Sequence, residues 1–181
     1  MKKLLSILFV SLGAVLLVSG CSSVNVKDYA GRTPVMQPES FFSGDLTAHG
    51  IVKNRSGEVI RYFNANIKAY WEGNVGTLEE DFVFDDGEIQ RRVWTLVRQV
   101  DGSYIGTAGD VIDEGIAEIA GNSMFLKYVL QVPYGDGSIN LSIDDRMYLV
   151  EPDILINESV MRKFGLRVGE IVLVIKKKHR I

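Results

Sequence analysis

The stretch Tyr62-Phe63-Asn64-Ala65-Asn66-Ile67-Lys68-Ala69-Tyr70-Trp71 decides how the rest of the chain is read. Phe63, Ala65, Ile67, Ala69 and Trp71 fall on one face, while Tyr62, Asn64, Asn66, Lys68 and Tyr70 fall on the other. That period of two belongs to a half-buried strand. The same grammar continues on both sides. Upstream, Leu46 to Lys53 reads as a strand, and Asn54-Arg55-Ser56-Gly57 as a turn. Downstream, Glu72-Gly73-Asn74-Val75-Gly76 reverses the chain. Leu78, Glu80, Phe82 and Phe84 then alternate with Glu79, Asp81, Val83 and Asp85. Asp86-Gly87 is a hairpin signal. Beyond it, Arg92, Trp94, Leu96 and Arg98 oppose Arg91, Val93, Thr95 and Val97.

Asp101-Gly102 turns the chain again before a short strand, Tyr104 to Thr107. Asp110 to Gly121 fits two templates. Ile112, Ile116 and Ile119 have helical spacing, but Gly115, Gly121 and the neighbouring hairpins favour bent strands, which is the reading adopted. Phe125 to Val132 and Ser138 to Val150 flank Pro133-Tyr134-Gly135-Asp136-Gly137, read as a longer hairpin loop. Ile154 to Lys163 and Val168 to Lys178 form the last pair, joined through Phe164-Gly165. Strands with regular turns and no good long helix predict an all-β fold: an antiparallel barrel, with a β-sandwich as the alternative that shares its alternation. Closure into a barrel would also remove the sheet edges that invite aggregation.

The N-terminus reads differently. Lys2 and Lys3 precede an apolar run from Leu4 to Val18, and the small residues Ser19 and Gly20 precede the chain's only cysteine, Cys21. A basic start, an apolar middle and small residues before the cut make an export signal. The run is shorter than the ~20 residues a spanning helix needs. Leu17-Val18-Ser19-Gly20-Cys21 resembles the bacterial lipobox. The resemblance implies diacylglycerol on the Cys21 thiol, cleavage before it, and acylation, by palmitate or a similar chain, of the new amine. Each buried methylene is worth ~0.8 kcal/mol, so three acyl chains would hold the protein at the membrane permanently. Ser22 stands where an aspartate commonly retains such proteins in the inner membrane. By the same resemblance the expected place is the inner leaflet of the outer membrane, facing the periplasm.

The expected division is a signal peptide over 1–20, a lipidated N-terminus and tether over 21–40, and a barrel domain over 41–181. Ser22 to Pro38 is short and polar, and Pro34 and Pro38 interrupt it. Phe41-Phe42 closes a single helical turn after Pro38. Cleavage would leave 161 of the 181 residues, enough for one domain with a sizeable core. Losing Lys2 and Lys3 takes the formal net charge from −3 to −5, which does not suit nucleic acid. With its one thiol reserved for lipid, the chain forms no internal disulfide, and thiol redox chemistry is excluded.

Catalytic patterns are lacking. His49 and His179 are the only histidines, and neither a metal-ligand spacing, a phosphate-binding glycine loop nor a serine elbow occurs. No enzyme activity, metal or cofactor is therefore expected. Asp144 and Asp145 are adjacent, so on a strand they point to opposite faces and cannot act on one atom. The inward one is expected to pair with Arg146, Arg92 or Lys163, because a lone buried carboxylate is costly. Asp85-Asp86 belongs to a hairpin and is solvated. The run Lys176-Lys177-Lys178-His179-Arg180 reads as a solubilising end to the last strand. Trp71 and Trp94 sit on apolar faces, and in a barrel the core and a ligand cavity share one space.

Gly121-Asn122, Asp144-Asp145, Met147-Tyr148, Asn157, and Lys163-Phe164-Gly165 followed by Val168-Gly169-Glu170 resemble the DUF3833 family of bacterial lipoproteins. So do Phe42 with Gly44, Ala48-His49-Gly50, Asp86-Gly87 with Trp94, and Gly106 with Ala108 and Asp110-Val111. The resemblance spans the whole domain and implies a calycin-like, lipocalin-type barrel with no assigned activity. It adds Asn122, Asp144, Arg146, Tyr148, Asn157 and Lys163 to the candidate ligand-binding residues. Two positions depart from the family's pattern, which commonly has tryptophan where Arg146 stands and arginine where Glu158 stands. An exchange of charge between them is the expectation.

Two functions follow. In the first, an interior lined by Phe63, Ile67, Trp71, Phe82 and Trp94 binds a lipid or other apolar molecule. In the second, the barrel is filled by its own side chains and its surface binds an envelope protein. Small inward residues such as Ala65 and Ala69 argue for room, and Phe82, Phe84 and Trp94 argue for a packed core.

Overall fold

The computed structural model describes residues 24–178. Cys21 and His179 lie outside the described residues. Ten antiparallel strands follow one another: β1 (Gly44–Asn54), β2 (Val59–Glu72), β3 (Val75–Phe84), β4 (Ile89–Arg98), β5 (Tyr104–Thr107), β6 (Val111–Ala120), β7 (Ser123–Tyr134), β8 (Gly137–Glu151), β9 (Ile154–Lys163) and β10 (Leu166–Lys177). Each pairs with its neighbours in sequence, and β1 pairs with β10 to close the barrel, Leu46 opposite Lys177 and Asn54 opposite Gly169. The antiparallel barrel expected from the alternation is the fold observed, of the lipocalin-like kind that the family resemblance implied, and the sandwich is set aside. In β2, Phe63, Ala65, Ile67 and Ala69 are buried while Asn64, Asn66, Lys68 and Tyr70 are exposed.

Two segments differ in detail from the sequence reading. Residues 110–121 form a strand broken by a bulge between Ile112 and Ile116, with Asp113 at φ 60°. Ile112 and Ile116 both lie on the outer face, while Ala117 is buried and Ile119 packs on the core, so the three isoleucines share no face and their helical spacing is incidental. Residues 133–137 are no long loop either. Pro133 pairs with Ser138 and Tyr134 with Gly137, leaving a turn of Gly135 and Asp136. The last β7 residue paired with β6 is Leu130, opposite Val111, so nothing alongside Pro133 needs the N–H it lacks.

The expected tether is corrected for residues 24–40, which pack on the barrel. A 3-10 turn, Val26–Tyr29, is capped by Asn25, whose side chain accepts from the Lys27 N–H at 3.0 Å while Asp28 accepts from the Asn25 N–H at 2.8 Å. Val26 and Met36 are buried, and a one-turn helix, α1 (Pro38–Phe41), follows. The proline fixes φ at the first helical position, and Phe41 and Phe42 turn inward to plug one end of the barrel. All the buried side chains named for the core lie between Val26 and Ile175, so the chain from Ser22 onward contains the whole described fold.

Gly121 is the seat of this strap. Its carbonyl accepts the Met36 N–H at 2.8 Å, its φ is +55°, and a Cβ there would meet the Tyr29 carbonyl oxygen at 1.9 Å. Gly121→Ala is expected to cost about 2 kcal/mol, from the left-handed backbone and the displaced strap together. Urea unfolding of the variant checks this. An unchanged midpoint would mean that the strap contributes nothing to stability.

Candidate functional site

One end of the barrel interior is closed: Leu46, Ala65, Ala117, Leu149 and Leu155 pack with Phe41, while Phe42, Ala48, Leu78, Leu96, Met124 and Leu126 belong to the same core and also line the cavity above it. Toward the hairpins that join β1 to β2, β3 to β4, β7 to β8 and β9 to β10, the strands enclose a cavity of about 480 Å³. That is within the size range of small-molecule sites. Phe63, Phe82, Phe84, Trp94, Leu130 and Leu173 supply much of its apolar wall. Gly50 makes room for the Phe63 ring, since a Cβ would lie 2.3 Å from its Cζ.

The mouth carries Arg61. Its guanidinium lies 3.7 Å from the Phe84 ring centre and donates to Asp86 at 2.7 Å and Glu88 at 2.6 Å. Deeper in the cavity lies a polar group. Arg92 grips Asp110 through Nε at 2.9 Å and Nη2 at 2.6 Å. Asp145 is buried, and its Oδ1 accepts from Ser159 Oγ at 2.7 Å and, by a short bond, from Asn157 Nδ2. Burial pushes the Asp145 carboxyl up, and the bonds from Asn157 and Ser159 pull it partly back. Glu80 faces Arg92 directly across the β3–β4 pair. Burial drives its carboxyl up to about 7, more than the Arg92 charge holds it down. The hydroxyl of Tyr128, a half-buried residue, is likewise held well above the usual phenol range by desolvation. Its ring meets Trp94 edge-on at 5.1 Å.

Of the residues expected to line the cavity, Phe63, Ile67, Phe82, Trp94 and Asn157 do so. Trp71 does not. It belongs to the plug, donating its Nε1–H to the Phe42 carbonyl at 2.8 Å and lying over Gly76, where a Cβ would sit 2.6 Å from the indole. Asp144 and Arg146 pair on the outer face at 2.9 Å, and the Arg146 bond holds the Asp144 carboxyl below its usual range. Tyr148 is also outside, 5.4 Å from the strap's Tyr29. Asn122 sits in the β6–β7 turn and donates to the Leu149 carbonyl at 3.1 Å. Lys163 reaches the Asn140 carbonyl at 2.9 Å at the rim.

The inward carboxylate is Asp145, and the ion pair expected for it is not formed. Arg92 is taken by Asp110, Arg146 by Asp144, and two neutral donors serve Asp145 instead. Arg146 and Glu158 do stand opposite each other across β8 and β9, so the two departing positions are neighbours. The Lys163-to-Glu170 motif is hairpin and bulge rather than site. A Cβ on Gly169 would meet the Lys53 carbonyl at 2.7 Å, and Glu170 bonds Arg167 at 2.8 Å. Glu80, Asp110, Tyr128 and Ser159 were not among the expected site residues. The signal for Glu80 was a charge placed on the same face as Leu78, Phe82 and Phe84. Among the described residues, no three His, Cys, Asp or Glu side chains come together to hold a metal ion.

The family model described as "Protein of unknown function (DUF3833)" matches residues 15–177. No curated protein matches the sequence. Among solved structures, the S-type phycobiliprotein lyase CPES from Guillardia theta superposes with a TM-score of 0.52 at 12% identity, covering 80% of this chain and 95% of the lyase. A redesigned β-barrel, mFAP0, bound to DFHBI, gives a TM-score of 0.43 at 6% identity, covering 76% of this chain and 99% of that one. At such identities the likeness to the lyase is one of fold alone.

Proposed function

This chain belongs to the DUF3833 family, whose function is unknown, and we propose from the barrel itself that it binds an apolar small molecule in its cavity. One observation carries the reading: between the plug residue Phe42, which lines it, and Arg61 at the mouth, the barrel keeps a walled space of about 480 Å³. Interiors normally close-pack, and a space of this size left with aromatic walls favours a ligand over a barrel filled by its own side chains. We further propose that Cys21 carries the acyl anchor, holding the barrel in the cell envelope beside a source of such molecules.

Organic extraction of the gently purified chain from Ser22 onward, followed by mass spectrometry, tests the binding reading. A single compound class near one-to-one is the expected result. A clean extract from folded protein, together with failure to take up any apolar fluorophore, would overturn it. Met161 lines the cavity on β9, and Met161→Trp is expected to fill part of the space. Fluorophore affinity should fall about tenfold, corresponding to ~1.4 kcal/mol, with little loss of stability. Titration of the variant with the same dye checks this.

A further inference from the structure

The charges of the cavity do not balance, and the imbalance describes the ligand. Two guanidiniums and four carboxylates line it: Arg61 and Arg92 against Glu80, Glu88, Asp110 and Asp145. The charges of both guanidiniums are answered by carboxylates, Arg61 by Asp86 and Glu88 through Nη2 and Arg92 by Asp110, while the Arg61 Nε–H at the mouth is left without a partner among the described residues. Glu80 and Asp145 are left over. They come from β3 and β8, which are not neighbours in the sheet, and both line the cavity. Among the described residues the Glu80 carboxyl makes neither hydrogen bond nor ion pair. Asp145, only 8% exposed, uses Oδ1 for both of its bonds and leaves Oδ2 without one.

A carboxylate withdrawn from water is costly until it meets positive charge or donors. The aromatic faces point the same way. Trp94, Tyr128 and Phe82 line the same cavity as the two carboxyls, and ring faces attract cations, the more so out of water; the Phe82 ring already has the Arg92 guanidinium over it at 5.7 Å. We infer that the cavity's ligand carries a protonated amine on an apolar body, the ammonium lying between Glu80 and Asp145 beside Trp94 and Tyr128. This rests on the ligand-binding reading above and adds the chemistry of the head. At that level a carboxylate or phosphate head would meet Glu80 and Asp145, and among the described residues the cavity's guanidiniums are already ion-paired, the spare Arg61 Nε–H lying at the mouth.

The pH dependence follows from the groups around Glu80. These are Arg92 on β4, Asp110 before β6, Tyr128 on β7 and Asp145 on β8. An alkylammonium stays protonated well above pH 8, so its binding strengthens as Glu80 ionises near pH 7. A carboxylate ligand would weaken over the same interval.

The test uses the chain from Ser22 onward, loaded with the neutral dye N-phenyl-1-naphthylamine. The dye is displaced by n-decylamine, n-decanol or n-decanoate at pH 6 and pH 8. At pH 8 the amine is expected to compete at about tenfold lower concentration than the alcohol, the worth of one charge-assisted bond. The advantage should shrink at pH 6 and shrink severalfold in Glu80→Gln, while the alcohol still displaces dye from that variant and so reports an intact cavity. Asp145→Asn should reduce the advantage independently. Decanoate competing as well as the amine, or an undiminished amine preference in Glu80→Gln, overturns the head-group assignment and leaves cavity binding standing. Failure of the wild-type protein to take up the dye, or of all three competitors to displace it, overturns both.

Discussion

Glu80→Gln is expected to stabilise the ligand-free barrel by about 3 kcal/mol at pH 8 and to leave it nearly unchanged at pH 4. The folded carboxyl titrates at about 7 against 4.5 in the unfolded chain. Between those values the folded protein keeps a proton that the unfolded chain has released. Stability therefore falls as pH rises through that window and levels off above it. Glutamine cannot ionise, so it escapes the cost while keeping nearly the same shape. Denaturant midpoints for both proteins at pH 4 and pH 8 measure the difference. Equal stabilisation at the two pH values would show that ionisation of Glu80 is not the source. If the amine head is correct, the substitution that most stabilises the empty barrel also weakens its selectivity. A binding site held at the expense of stability behaves in this way.

The second large effect is expected at the other end. Trp71→Ala should cost about 3 kcal/mol, toward the lower end for tryptophan truncations because the ring is only partly buried. The indole spans Gly76, bonds the Phe42 carbonyl and lies 6.1 Å from Tyr104. Tyr104 in turn donates to Glu39 at 2.6 Å, and Lys177 donates to the Ser40 carbonyl at 2.6 Å. One side chain thus secures the α1 plug to β2, with β5 and β10 adding their own bonds. Trp71→Phe keeps an aromatic ring but loses the hydrogen bond and part of the indole's cover of Gly76, for about 2 kcal/mol. Thermal unfolding of the two variants separates the packing of a ring from the indole's own bond and cover. Equal losses would mean that the Phe42 bond and the Gly76 cover matter more than the rest of the buried area.

Most of the fold was legible because a barrel strand repeats one simple instruction. Phe63 through Trp71 alternate without interruption, and hairpin glycines such as Gly87 and Gly102 sit at φ +86° where turns require them. Features set by tertiary contact were harder to read. The polar strap looks like a tether in sequence because its packing rests on few residues, Val26, Met36 and Phe41, and on the absence of a side chain at Gly121. The site was legible in part. Its aromatic wall follows from alternation, and so, with more attention, does Glu80. Asp110 lies in a loop, and no periodicity assigns a direction to it. Motif residues pointed elsewhere, since Asp144, Arg146 and Tyr148 share a strand with Asp145 but only the odd-numbered acid faces in. A list of positions carries no sidedness until the register is applied.

The closure between β1 and β10 has a consequence for how the protein comes to exist. Every other strand pairing joins sequence neighbours and can form as a local hairpin within microseconds of being available. The last pairing sets Leu46 against Lys177 and must bring together the two ends of the sheet. Its entropic cost grows only slowly with the length of chain between, but it cannot begin until β10 is present. Until then the strands have an apolar concave face and two bare edges open to water. The order of synthesis therefore delivers the stabilising step last, and an interruption before Leu166 would leave an aggregation-prone open sheet rather than a smaller barrel.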